Sequence, residues 1–403
     1  MTFDVEHIRK QFPALKLGAA HFDGPGGTLT PTRVAQATFD FLNGPHANRT
    51  ELNTAGQKSE ASVIDARNAM ADLLGADPSG IVFGRSMTSL TFDFARTLSQ
   101  DWHPGDEIVV SRADHDANVR PWVIYAQKTG ATLRWIDFDP ATGYLDVSDV
   151  ESVVNDRTKL VAMTGASNLI GSRPDLPVIS KIVHSVGALL YVDGVHLTPH
   201  SFVDVHELGA DFYGCAPYKF WGPHIGVMAA SPTLLDSLHP DKLLPSTEQV
   251  PERFELGTLP YEQLVAITAA VDFIADMVPS SGSRRQQIRT SMDAIEAYED
   301  SLSHRLREGL ASIPEVTVYS NAPHKTPTEL FSISNVELQT ADDYFATHNI
   351  NALSSSFYAI ETSRHLGLGD EGAIRAGLAP YNIQDDVDRL LTCVADLAQG
   401  KTV

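Results

Sequence analysis

Lys219 stands in the run CAPYKFWGPH, flanked by Tyr218, Phe220 and Trp221. In such apolar company desolvation disfavours the ammonium and leaves a nucleophilic amine. A lysine that snorkels its head to water is the plainer alternative. Asp193 closes the apolar run LLYVD and is followed by Gly194, Val195 and His196. An acid there can serve a ligand beyond the strand, or it can be a helix cap or a paired structural charge. Ser86, Met87 and Thr88 follow the run IVFG, where a helix N-terminus offers N–H groups, its dipole and hydroxyls to a phosphate. Simple N-capping by Ser86 is the equally ordinary use. His115 lies just beyond EIVVS, and its flat imidazole can stack on a planar ligand or simply cap a turn. Asn168, in SNLIG after KLVAMT, offers an amide or only forms a turn.

These residues share a position, since each follows a short apolar run, and the runs alternate with helical segments. Strands are expected at Ile81–Gly84, Glu107–Ser111, Thr132–Ile136, Lys159–Thr164, Leu189–Asp193, Asp211–Cys215 and Ile225–Ala230. Helices are expected at Ser59–Leu74, Ser86–Leu98 and Asn118–Thr129, the first stopped by Gly75 and the last by Gly130. Runs that are apolar nearly throughout imply an α/β fold with a mainly parallel sheet of seven strands, covered by helices on both faces. Ligands of such sheets bind beyond the carboxyl ends of the strands, where the candidates lie.

The turn-rich segment Pro279–Arg285 marks a boundary between a large domain, 21–280, and a smaller α+β domain, 281–403. In the smaller one the pattern gives a helix over Ser291–Gly309, strands at Val316–Ser320, Leu330–Ser334, Asn351–Ser354 and Ala373–Leu378, a helix from Ala341, and a closing helix over Asp385–Leu397. Residues 1–20, with a helix at about Val5–Phe12, are expected to pack on the smaller domain.

Composition narrows the function classes. The 403 residues hold 30 Lys+Arg against 51 Asp+Glu, a formal charge of −21 that disfavours general nucleic-acid binding. Hydrophobic residues make up 43 %, enough for a full-sized core. Apolar stretches such as Ala188–Val192 fall far short of the ~18 residues of a membrane span, and the opening MTFDVEHIRKQF lacks a secretory pattern, so a cytoplasmic protein is expected. Cys215 and Cys393, each alone, exclude a disulfide scaffold and Cys-based zinc patterns. His196 and His200 share helical spacing, but Pro199 opposes the helix a metal pair needs, and no metal site is expected. GPGG at Gly24–Gly27 lacks the G-x-G-x-x-G spacing of nicotinamide binding.

A lysine, an acid, a phosphate cradle, a flat aromatic group and an amide at one sheet edge match the needs of pyridoxal 5'-phosphate. That cofactor takes a lysine for its Schiff base, a carboxylate to keep its pyridine nitrogen protonated, and anchors for its phosphate. The segment Tyr191–Met228, with the K-x-x-G-P run at Lys219, Gly222 and Pro223, resembles the cofactor signature of the class-V aminotransferase and cysteine desulfurase family of fold-type I enzymes. FDGPGGTLTP (Phe22–Pro31), DHDANVRPW, SNLIG, RFELGT (Arg253–Thr258) and IRAGLAPYN (Ile374–Asn382) extend the resemblance over nearly the whole chain.

The resemblance implies an aspartate aminotransferase-like fold and three catalytic residues: Lys219 on the cofactor, Asp193 at its pyridine nitrogen and His115 stacked on its ring. Asn168 and His196 are implied at the phenolic oxygen, His196 replacing the glutamine usual in the desulfurases. Ser86, Met87, Thr88 and Tyr218 are implied at the phosphate, Tyr218 replacing the usual histidine before the lysine. Thr258 is implied to reach the neighbouring subunit's phosphate, in a homodimer with shared sites. Arg375, with Asn168, is implied to hold the substrate carboxylate through its bidentate fork.

The departure lies between Asn351 and Arg375. Cysteine desulfurases carry a persulfide-forming cysteine there, and NALSSSFYAIETSRHLGLGDEGAIR contains none. The overall resemblance implies desulfurase-like carbon–sulfur lyase or desulfinase chemistry on a small L-amino acid through an external aldimine, and the missing cysteine implies that it proceeds without an enzyme persulfide. Aminotransfer to a 2-oxo acid, epimerisation, and non-catalytic cofactor binding are the alternatives. Residues Ser354, Ser355, Ser356, Phe357 and Tyr358 are the candidates for contact with the substrate side chain.

Overall fold

The computed structural model describes residues 3–401. After a two-residue strand, β1 (Ala20–His21), the chain forms seven strands of one mixed sheet: β2 (Ile81–Gly84), β3 (Glu107–Ser111), β4 (Thr132–Ile136), β5 (Thr158–Thr164), β6 (Leu189–Asp193), β7 (Phe212–Cys215) and β8 (Gly226–Ala230). Their order is β2-β8-β7-β6-β5-β3-β4, with β8 antiparallel to both neighbours and every other pair parallel. Only the short segment 216–225 joins β7 to β8, too little chain for a crossover helix, so β8 returns antiparallel. That return turn carries Lys219.

Alternation along the strands divides the core into two layers. Val109, Val161 and Val192 belong to the same core layer as Met70 and Leu73 of the long helix Thr54–Leu74 and Ile179 and Val183 of the helix Leu176–Ser185. Ile108, Val110, Ala162 and Tyr191 face Phe94 and Trp122 of the helices Met87–Leu98 and Arg120–Thr129. The expected near-continuous burial fails on β4, where Thr132 and Arg134 are exposed. This strand is the sheet edge and pairs only with β3, and Arg134 turns its charge to Glu107.

Four further strands, β9 (Val316–Val318), β10 (Thr328–Ile333), β12 (Leu353–Ser355) and β13 (Ala373–Gly377), form an antiparallel sheet in the order β12-β13-β10-β9. The short β11 (Ile350–Asn351) pairs instead with β1. Leu302, Leu306 and Leu310 of the helix Arg284–Ala311 and Val387 and Leu390 of the helix Gln384–Ala398 cover this sheet. The first of these helices begins two turns before the expected Ser291. Its start is polar, RRQQ, and is set by a capping box between Ser283 and Gln286 rather than by apolar periodicity.

The amino-terminal helix is short, Val5–Arg9. Phe3 packs on Tyr298 and Arg9 pairs with Asp386, while Phe12 lies against both Phe273 and Tyr381. Among the described residues no helix is long and apolar enough to cross a membrane.

Candidate active site

Beyond the carboxyl ends of the parallel strands lies a cavity of about 700 Å³, closed from the other side by the segment before β13. Its walls bring together Ser86, Met87 and Thr88 after β2, His115 after β3, Asn168 after β5, Asp193 and His196 after β6, Tyr218 and Lys219 after β7, and Arg375 on β13. Thr258 is not on these walls; it is exposed on the loop before the helix Tyr261–Asp276.

Lys219 is buried, so it does not snorkel. Its ammonium donates to the backbone oxygens of Pro25 and Gly26, the latter at 2.8 Å. Burial first, and then the Arg375 charge, pull its pKa down to about 7. A Cβ at position 26 of the turn that receives it would meet the Asp23 carboxylate at 2.1 Å, so a side chain there would displace that carboxylate.

Asp193 ends its strand fully inside the protein, accepting a hydrogen bond of 2.9 Å from the Val195 N–H. Desolvation pushes its pKa up to about 6. Asp114 lies close by and accepts from the Ser111 hydroxyl, from Asn118 Nδ2 at 2.7 Å and from the Thr164 N–H at 2.9 Å. Burial, aided by the Asp193 charge, still raises its pKa to about 8. Sequence reasoning missed Asp114, which stands one residue before His115 in a run where only the histidine drew notice.

His115 caps a turn and also faces the cavity. Its Nδ1 accepts from the Ala117 N–H at 3.0 Å, capping the turn Asp116–Asn118 and placing the proton of the neutral ring on Nε2. The ring also lines the cavity, stacked against Tyr358 at 5.6 Å. Burial lowers its pKa to about 4, so it is neutral near pH 7. Ser86 does cap its helix, accepting from the Ser89 N–H at 3.1 Å. Met87 and Thr88 supply the other amides of that first turn.

His196 is turned towards β10. Its Nε2 lies 3.0 Å from the hydroxyls of both Thr326 and Thr328, and burial pushes its pKa well down. Any bond from His196 to a ligand therefore falls to Nδ1. His196 and His200 lie in a turn rather than a helix, and His200 is bonded to Glu299 at 2.8 Å.

Arg375 is held on three sides. Nη2 donates to Asp23 Oδ1 at 2.6 Å, Nη1 to the Asn168 backbone oxygen at 3.1 Å, and the Phe357 ring lies 3.6 Å from Cζ. Burial lowers its pKa to about 10. Asn168 in turn donates through Nδ2 to the Phe357 oxygen at 3.0 Å. Phe357 and Tyr358 both adopt left-handed backbone, φ 48° and 60°, which costs a non-glycine residue roughly 1–3 kcal/mol. Asp23 and this strained pair carried no signal in the sequence that marked their contacts.

Two buried polar atoms of cavity-lining residues, Asn168 Oδ1 and Arg375 Nε, have no partner in the protein. With a buried amine, a buried acid and the first-turn amides of a helix, this donor set fits a phosphorylated pyridine aldehyde and a substrate carboxylate.

Comparison with known proteins agrees with the geometry. The family model described as Aminotransferase class-V matches residues 20–390. The chain is 32 % identical to an uncharacterised protein of Mycobacterium tuberculosis, covering 98 % of this chain and 100 % of that one. It is 31 % identical to the aminotransferase-like protein FGM3 of Gibberella zeae, covering 98 % of each. Among solved structures, the cysteine desulfurase CsdA of Escherichia coli superposes with a TM-score of 0.87 at 27 % identity, over 100 % of both chains.

Proposed function

The chain belongs to the class-V aminotransferase family of pyridoxal phosphate-dependent, fold-type I enzymes, and from that premise we propose that it cleaves the carbon–sulfur bond of a small L-amino acid without forming a persulfide on itself. The observation that supports this most is the wall between Asn351 and Arg375. Leu353, Ser355, Phe357 and Tyr358 line the cavity there, and no thiol does. Cys215 is buried inside β7 and Cys393 sits in the last helix. A substrate whose Cβ carries a sulfinate needs no acceptor thiol. The Cβ–S bond breaks, Cβ takes a proton, and sulfur leaves as sulfur dioxide, which water converts to sulfite.

When bound, the cofactor supplies an electron sink for negative charge at the substrate Cα. The chain's own residues do the rest. Lys219 would hold the cofactor and move the proton at the substrate Cα; a pKa near 7 suits it to both directions of transfer. Asp193 keeps a proton on the ring nitrogen, and His115, neutral, stacks on the ring. Ser86, Met87, Thr88 and Tyr218 hold the phosphate, Asn168 and His196 approach the phenolic oxygen, and Arg375 with Asn168 takes the substrate carboxylate.

In this reading residues 21–280 are the cofactor-binding domain, 281–403 the smaller domain, and 1–20 pack on it. Exposed Thr258, beside Gly257 in left-handed backbone and Leu256 at 55 % exposure, supports a homodimer in which it completes the neighbouring subunit's phosphate site.

The test is to add L-cysteine sulfinate to cofactor-loaded protein and to follow sulfite, alanine and the visible spectrum together. Sulfite and alanine in equal amounts, with the resting spectrum restored, are expected. A released 2-oxo acid with a lasting change of spectrum would make the protein an aminotransferase instead.

A further inference from the structure

We propose that Asp23 is a positioning residue that competes with the substrate carboxylate for Arg375. The inference rests on the assignment of Arg375 to the substrate carboxylate, and not on carbon–sulfur cleavage. The guanidinium of Arg375 is gripped on three sides: by the Asn168 backbone oxygen, by the Phe357 ring and by Asp23. A carboxylate that takes an arginine side-on uses Nε and one terminal nitrogen as a pair. Here Nε is buried without a partner, while Nη2 already holds Asp23 Oδ1 at 2.6 Å. Nε therefore keeps an unpaired N–H while the neighbouring Nη2 is taken by an anion of the protein.

Asp23 is fixed in this place by its backbone. The Gly377 N–H bonds to Phe22, and the N–H groups of Gly26 and Gly27 return to the Asp23 oxygen. Its carboxylate fills the space that a Cβ on Gly26 would take, and the Gly26 oxygen receives the Lys219 ammonium. One turn thus answers to both cations of the site. Unlike Arg375, at 1 % side-chain exposure, Asp23 is 24 % exposed and borders the cavity, so its carboxylate has room to yield.

An incoming carboxylate must either displace Asp23 from Nη2 or settle for Nε beside a like charge, and both cost affinity. The competitor keeps the buried cation paired while the site holds no substrate, and it weakens the grip on any carboxylate, including the product's. Asp23→Asn keeps the shape and removes the charge.

The experiment titrates cofactor-loaded protein with propionate, a carboxylate that has no amino group to react, by isothermal calorimetry. Asp23→Asn is expected to lower the Kd for propionate about tenfold. In an Arg375→Ala background the same substitution is expected to change nothing, because the effect runs through the arginine. With the amino-acid substrate, KM should fall while kcat does not rise. Unchanged or weaker propionate binding in Asp23→Asn, or an equal gain without Arg375, overturns the proposal. If Asp23→Asn does not retain the cofactor, Asp23→Ser replaces it in the same titration. The expected propionate result without sulfite release would refute the lyase reading alone. Sulfite release with no propionate effect would refute the role of Asp23 alone.

Discussion

The two ends of the main sheet treat charge in opposite ways. At the amino ends of the strands, Glu107 is buried at the start of β3 and answered by Arg134, Arg157 and Asn155, which hold its pKa down at about 2. At the carboxyl ends, Asp193 closes β6 with a bond from one backbone N–H, and burial raises its pKa to about 6. The amine and guanidinium nearby are likewise depressed by burial, and Arg375 keeps one N–H unpartnered. The same sheet and the same residue chemistry yield a fully paired charge at one end and under-partnered charges at the other. Groups left short of partners inside a cavity are ready for a ligand that supplies them, whereas the paired end only holds the fold together.

The largest expected effect is at the under-partnered end. Lys219→Ala should abolish the visible band of the lysine-held cofactor and lower turnover by roughly 10³-fold or more, with the fold intact by circular dichroism. Arg375→Ala should retain the cofactor and raise KM by about 100-fold, read from steady-state kinetics. Loss of cofactor in that variant would misplace Arg375.

At the paired end, Glu107→Gln should leave KM unchanged and cost about 2 kcal/mol in urea unfolding, since Arg134 and Arg157 are half-exposed and water screens part of the interaction. The sign with pH follows from the depressed carboxyl. Between 4.5 and about 2 the unfolded chain binds a proton that the folded one does not, so the wild type loses stability as pH falls through that window. The variant should not lose it there. A smaller, rate-based contrast concerns cofactor attachment to Lys219. The neutral amine reacts, so the attachment rate followed by absorbance should rise to a plateau just above pH 7, where an ordinary lysine would still be climbing towards 10.5.

Much of this was legible in the chain, for identifiable reasons. The strand end at Asp193 is marked by the change from LLYV to an acid and that at Cys215 by Pro217 shortly after it, and the Gly75 and Gly130 stops mark helix ends through their left-handed backbone. Lys219, Asp193 and His115 could be placed on one edge because parallel topology alone brings those ends together. The Arg375–Asp23 pair joins β13 to the turn just after β1, a separation that no local pattern encodes. The strained conformation of Phe357 and Tyr358 was equally hidden, because neither residue type signals left-handed backbone. The double use of Ser86 and His115, as caps and as cavity walls, shows why two readings of one residue need not compete.

Chemistry without an enzyme thiol is tested by sulfite release from L-cysteine sulfinate by a cysteine-free variant, Cys215→Ala with Cys393→Ala, loaded with cofactor. Release at the wild-type rate, with alanine in equal amount, is the predicted result. Wild-type release that disappears in a folded, cofactor-loaded cysteine-free variant would contradict it.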